Sequence, residues 1–463
     1  MTLTKYVGIL ASGLALTGAA SAQGTDAMSE MAQIKAELAT LKAQNGDKWL
    51  TAERAAEIKS LVKDVLADSE TRTSLQGSGA TSGYNNGFFI SSADGNFKLQ
   101  MNVLEQVRFT WNNQPESQHG AFENTNEWGF ENRRTEMTFS GNVVDPSWTY
   151  MVRTNYGSAT DPYTPTAGAV VLQDAWAAKD LGNGWGLKVG QFKSPFMAES
   201  LRNDGAQLSA ERSLVDYYFS GGYVQGLALS YSADQFRLMA SYNNGPRGQN
   251  STWSAGNTSF SGSARAEFKA SGNWGQFDTE SSAKSDESGL LIGAAVQYYN
   301  GRGTNSAPGF SSSIVYTDTT AALDWTVDAT FKSGGMSLSA AFVGANYTQP
   351  VGSTTDNDSY GMVVQGGYRF TDTLEAFGRW EWYNVANGAF NAGFASTATD
   401  VNNVLTFGVN AYVSTNIKWT TQFGISLSDV GFGANFDGAG YRSDFITSDS
   451  DQFNVISQLQ VSF

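Results

Sequence analysis

Between Phe97 and the C-terminal Phe463 the sequence alternates apolar and polar residues at every second position, in stretches of roughly ten residues. In 321–331, Leu323, Trp325, Val327, Ala329 and Phe331 fall on one face and Asp324, Thr326, Asp328 and Thr330 on the other. In 417–427, Ile417, Trp419, Phe423, Ile425 and Leu427 oppose Lys418, Thr420, Gln422 and Ser426. Side chains alternate across a strand, so each stretch makes a ribbon with one apolar and one polar side. Soluble sandwiches alternate as well, and a single ribbon decides nothing.

Export supplies the context. Lys5, the apolar run from Tyr6 to Ala20, and Ala20-Ser21-Ala22 before Gln23 have the three-part pattern of a secretory signal peptide, with cleavage expected after Ala22. After it no apolar run is long enough for a membrane helix, so a membrane-spanning chain must cross as a closed barrel. Cysteine is absent, which excludes disulfides and thiolate metal sites. The net charge of −15 argues against a nucleic-acid surface. A polar average (mean hydropathy −0.30) with 13% aromatics suits neither a helical membrane protein nor a disordered chain.

About sixteen strands are expected, near 97–111, 132–144, 148–157, 170–180, 185–193, 222–232, 235–243, 264–271, 289–300, 321–332, 336–348, 359–370, 374–384, 403–413, 416–428 and 452–463. Their connections alternate between tight turns, such as Asp145-Pro146 and Thr415-Asn416, and long polar loops, such as 194–221 and 429–451. Short periplasmic turns with long external loops mark an outer-membrane barrel. The last strand ends in an aromatic, with Phe453, Val455, Leu459 and Val461 alternating before Phe463, which resembles the signal read by the barrel-assembly machinery.

Two places strain this reading. Glu105 falls on the lipid-facing register, at a cost of about 1–2 kcal/mol near mid-bilayer; either a β-bulge at Leu104-Glu105 turns it inward or it lies at a subunit contact. The connection 271–288 is long where a short turn is due.

The expected organisation is a signal peptide (1–22), a periplasmic helical or coiled-coil segment (23–76), a linker (77–96) and an all-β transmembrane antiparallel barrel (97–463). The helical segment rests on Met31, Ile34, Leu38 and Leu41, then Ala55, Ile58, Val62 and Val65, at heptad spacing. Each run covers only about two heptads, so a small amphipathic hairpin fits as well as an oligomeric coiled coil. Gly77 to Gly83 reads as flexible linker.

Specific residues suggest a family. Glu131-Asn132-Arg133-Arg134, Arg153-Thr154-Asn155, Leu172-Gln173-Asp174-Ala175-Trp176 and Gly190-Gln191-Phe192-Lys193-Ser194-Pro195-Phe196, followed by Glu199-Ser200-Leu201 and Glu211-Arg212-Ser213, resemble the phosphate-selective porin O and P family in order and spacing. The resemblance covers about 84–232 and implies a sixteen-stranded homotrimer whose third long loop folds into the lumen. It also implies passage of anions such as phosphate through a dense cluster of arginines and lysines. No equivalent cluster is evident here, which puts phosphate specificity in doubt.

A diffusion pore needs a polar wall and a charged constriction rather than catalytic groups or cofactors. The register turns Arg108, Arg134, Arg153, Lys188, Arg237, Arg265 and Arg379 inward, and the loop 194–221 contributes Lys193, Arg202, Glu211 and Arg212. These are the expected pore-lining and constriction residues. Each of them alone is more simply read as half of a cross-strand ion pair stiffening the wall. His119 is the single histidine and lies in a Gln/Gly/Asn-rich loop without a serine elbow, so a hydrolase is not expected. Loop acids such as Asp356, Asp358, Asp437 and Asp444 are more simply solvated carboxylates than a calcium site. The expected function is a porin passing small hydrophilic solutes or ions through the bacterial outer membrane. Its expected partners are outer-membrane lipid, lipopolysaccharide and the assembly machinery, and no nucleic acid. The alternative is a structural anchor tethering the envelope through the helical segment.

Overall fold

A computed structural model describes residues 35–36, 59–60, 79–113, 126–157, 170–252, 258–301, 305–306, 315–316, 321–347, 358–384, 401–428, 439–441 and 452–463. The signal peptide, almost all of the helical segment, His119, Asp356, Asp437 and Asp444 lie outside the described residues. The chain divides into Met1–Gly79 and Ala80–Phe463, and the second unit carries the sheet.

Its strands are β1 (Lys98–Asn113), β2 (Asn126–Val143), β3 (Asp145–Asn155), β4 (Val171–Gly182), β5 (Trp185–Lys193), β6 (Tyr223–Ser232), β7 (Phe236–Asn243) and β8 (Thr258–Ser271). They continue with β9 (Gly289–Gly301), β10 (Ala321–Ser333), β11 (Met336–Tyr347), β12 (Asp358–Arg369), β13 (Leu374–Asn384), β14 (Val401–Ser414), β15 (Ile417–Ser426) and β16 (Phe453–Ser462). Each pairs antiparallel with the next, and β16 returns to β1, with Gln458 opposite Arg108 and Gln460 opposite Gln106. The sheet is a closed sixteen-stranded antiparallel barrel. Closure leaves the ring no free edge, so every ladder donor and acceptor between its strands finds a partner inside the sheet.

The faces are inverted relative to a soluble protein. Along β10 the polar Asp324, Thr326, Asp328, Thr330 and Lys332 are buried, while Leu323 and Val327 are 47% and 51% exposed. Apolar surface of this extent on every strand is costly in water and suits hydrocarbon. Aromatic pairs sit toward both rims: Trp185 with Tyr231 and Phe236 with Phe268 near the short turns, and Phe260 with Tyr242 and Tyr298 near the long loops. Val327 lies mid-strand, so Val327→Arg is expected to destabilise the lipid-embedded barrel by about 2–4 kcal/mol in urea titrations. Val327→Leu should be close to neutral, and equal midpoints for the two variants would remove hydrocarbon from that face.

Two expectations are corrected. The stretch read as linker, 77–96, holds a hairpin, Thr81–Tyr84 with Phe88–Ser91, whose second strand pairs with the start of β1. Its turn uses Asn86 and Gly87 at positive φ, and a side chain at Gly87 would run into Asn102. No bulge occurs at Leu104-Glu105: the register shift lies on β2, where Arg133 has no opposite residue between Gln106↔Arg134 and Val107↔Asn132. Glu105 therefore keeps the outward register of Val103 and Val107. The long connection 272–288 is real, whereas the other turns at that rim span no more than 370–373.

Candidate functional site

The interior is occupied by the connection between β5 and β6, residues 194–222. Its base is closed by the Ser194 amide donating to the Gly222 carbonyl at 2.9 Å, with Gly222 at φ +58° against Arg247. Pro195 offers no amide and ends the ladder. Two short helices follow, α1 (Ala198–Leu201) and α2 (Leu214–Phe219). The Ser213 side chain caps α2 by accepting from the Asp216 amide.

An apolar patch inside the barrel receives α2. Val215 and Phe219 pack on Val343, Val363 and Tyr383 of β11–β13. Gly361 permits this approach, because a Cβ there would meet Phe219 at 2.8 Å and Val215 at 2.9 Å; at Gly367 it would meet Leu208 at 2.9 Å. Both glycines face inward and make room for the loop.

The polar wall ties down the rest. Glu211 is held by Arg108 at 3.0 Å, Arg133 at 2.7 Å and Arg134. Asp204 pairs with Arg134 at 3.5 Å and with Arg212. Arg153 donates to Asn203 at 3.2 Å, and Lys193 to the Arg202 carbonyl at 3.1 Å. Across the lumen, Arg265 grips Asp328 through two contacts of 2.8 and 2.9 Å and donates to the Phe196 carbonyl. Arg379 pairs with Glu381 at 2.6 Å and donates to Ser209 and to the Glu211 carbonyl. Gln422, Lys418 and Gln460 bond the loop from β15 and β16. The loop is thus fastened on both sides of the barrel and spans its interior.

All the expected site residues except Lys188 and Arg237 converge on this loop. Lys188 stands 4.4 Å over Trp176, and Arg237 stacks at 4.0 Å on Trp274 of the connection 272–288. Arg133 was missed because strict alternation cannot turn two consecutive arginines the same way. The β2 bulge does so, bringing both to Glu211. The adjacent arginines were the visible signal.

Burial alone would raise the carboxyls of Glu211 and Asp204, but the surrounding guanidiniums outweigh it and hold both well below their usual range. Glu199 is the opposite case. Burial first, then the neighbouring Asp216 and Glu280 carboxyls, push it up to about 8, although the Ser213 amide and hydroxyl donate to it. A raised carboxyl binds its proton more tightly in the folded state, so its contribution is lost as pH rises from 4.5 through about 8. Asp204 and Glu211 have the reverse sign, with contributions lost as pH falls below their ordinary values of 3.8 and 4.5. Thermal stability is therefore expected to decline from pH 4.5 to 8, and Glu199→Gln should flatten that limb. An unchanged slope in the variant would remove Glu199 as its source.

A profile of phosphate-selective porin O and P matches residues 108–426, more than half of the chain. The chain belongs to that family. It is an outer-membrane porin, and its barrel is a channel fold. Among solved structures, OmpT, an outer membrane protein of Vibrio cholerae, matches with a TM-score of 0.50 at 11% identity, over 82% of this chain and 99% of that one. A trimer form of the same protein and an anion-selective porin from Comamonas acidovorans each match with a TM-score of 0.50 at 10% identity, over 79% of this chain and 99% of theirs. At these identities the likeness is one of fold. A search of curated protein sequences returns no match.

Proposed function

We propose that this porin passes small hydrophilic solutes by passive diffusion, with weak ion selectivity set at the loop 194–222. The supporting observation is that the charges meeting there are largely cross-paired: Glu211 with three arginines, Asp204 with Arg134 and Arg212, Arg265 with Asp328, and Arg379 with Glu381. Paired charges orient polar solutes in a transverse field but leave a small net potential for either sign of ion. Arg108, Arg134, Arg153, Lys193, Arg202, Glu211, Arg212, Arg265 and Arg379 would form the constriction, and Lys188 and Arg237 would line the wall beyond it.

The short-turn rim, which carries both barrel termini, would face the periplasm together with the helical segment 23–76. The barrel would assemble as a homotrimer in lipopolysaccharide-containing outer membrane after insertion by the assembly machinery. The reversal potential in a potassium chloride gradient tests the selectivity. A value near zero is expected, with chloride current unaffected by added phosphate. Strong anion preference with phosphate block would replace this reading by a phosphate channel, which the family's description favours.

A further inference from the structure

The connection 272–288 joins β8 to β9 at the short-turn rim, where its counterparts are as brief as residue 144, 183–184, 334–335 and 415–416. A hairpin at such a rim needs about two residues, so the extra length must go somewhere. It turns into the barrel. A 3-10 turn, Trp274–Phe277, buries Phe277, and Glu280 and Ser282 are buried after it.

Its fastenings come from strands far away in sequence. Lys332 of β10 is fully buried and donates to the carbonyls of Gln276 at 2.6 Å, Thr279 at 2.6 Å and Ser281 at 2.7 Å. Three carbonyls around one ammonium satisfy all its donors at once. Ser281 bridges Arg369 of β12 at 3.0 Å and Glu375 of β13 at 2.6 Å. Lys284 reaches the Phe370 carbonyl at 2.8 Å, and Trp274 is flanked by Arg237 and Lys269.

The segment also meets the loop 194–222. The Glu280 amide donates to the Ala206 carbonyl at 2.9 Å, the Glu280 carboxylate accepts from the Leu208 amide at 2.7 Å, and Arg202 lies 3.7 Å from it. Arg202 also donates to the Phe277 carbonyl at 3.3 Å.

We infer that residues 272–288 form a second constriction, entering from the short-turn rim, pinned by Lys332 and locked to the first through Glu280. Permeating solute then passes two stacked elements, and the inner one is acidic: Asp278, Glu280, Asp286 and Glu287 against the single Lys284. This rests on the channel reading above. The segment's own net charge is negative, and Lys332, Arg369, Arg237, Lys269 and Arg202 face it from the wall and the outer loop, so its removal leaves those cations uncompensated.

The test uses full-length protein in planar bilayers. Replacing residues 272–288 by Asn-Gly should raise single-channel conductance roughly twofold or more and shift the reversal potential toward anions. Lys332→Met should raise the conductance with the segment's acids still present, and, because it removes a cation, without the shift toward anions. Because the chain has no cysteine, Asp278→Cys gives a single thiol, and attaching a bulky cationic thiol reagent to it in the folded channel should lower the current. Conducting wild-type protein with unchanged current in all three would overturn the second constriction and leave the channel standing. If every form is silent, both fail. A silent wild type opened by the Asn-Gly turn would make the segment the closure itself.

Discussion

Glu211→Gln is expected to destabilise the barrel by about 3–5 kcal/mol, the cost of leaving buried charges without their partner. Arg108, Arg133 and Arg134 converge on this one carboxylate, with Arg108 fully buried. Glutamine keeps the shape and an acceptor oxygen but removes the charge, so three guanidiniums crowd one another with the weaker contacts of Glu131 to Arg108 at 3.6 Å and Asp204 to Arg134 at 3.5 Å. The loop should loosen on the β1–β2 side, and the reversal potential should move toward anions. Urea unfolding in lipid vesicles measures the first effect and a salt-gradient recording the second. An unshifted unfolding midpoint would mean that the three contacts carry no net stabilisation.

The second large effect concerns the loop itself. Exchanging residues 196–219 for a short Gly-Ser linker is expected to multiply the single-channel conductance, because the loop is fastened on both sides of the barrel and spans its interior. The barrel should survive, since its ladder closes through β16 and β1 independently of the loop. The cost is the apolar patch of Val343, Val363 and Tyr383, which loses Val215 and Phe219 and becomes wet. Conductance equal to wild type in a folded variant would show that the loop does not limit passage. Heat-modifiable migration on gels checks that the variant is folded.

The strands were the most legible part of the sequence. Expected and observed bounds coincide for 185–193 and 374–384 and differ by a residue or two for most others, because a face in contact with lipid imposes its period directly on residue choice. The exceptions are strands that run on past the membrane: β2 begins at Asn126 and β8 at Thr258, each six residues before the alternation becomes regular. Along the start of β2 Asn126 to Phe130 are exposed on both faces, and the pattern fades.

The site was legible only in part. Register alone turned Arg108, Arg134, Arg265 and Arg379 inward, yet it could not say that they hold one loop, because their partners stand about 70 to 170 residues away. Arg133 was hidden by a bulge that adds one residue without altering composition. The course of 272–288 was hidden for a related reason: Lys332, Arg369 and Glu375 fix it, and nothing within the segment announces them. The hairpin before β1 could have been read, since Asn86-Gly87 between Tyr84 and Phe88-Phe89 is a strong turn signal; the surrounding glycines and serines masked it.

Single-channel recording of the purified full-length protein in a planar bilayer bears most directly on the central claim, a lipid-embedded barrel with a narrowed but continuous aqueous path. Discrete steps of uniform size, linear in voltage and scaling with salt concentration, are the expected result. Protein that is folded and inserted yet electrically silent at all voltages would contradict it.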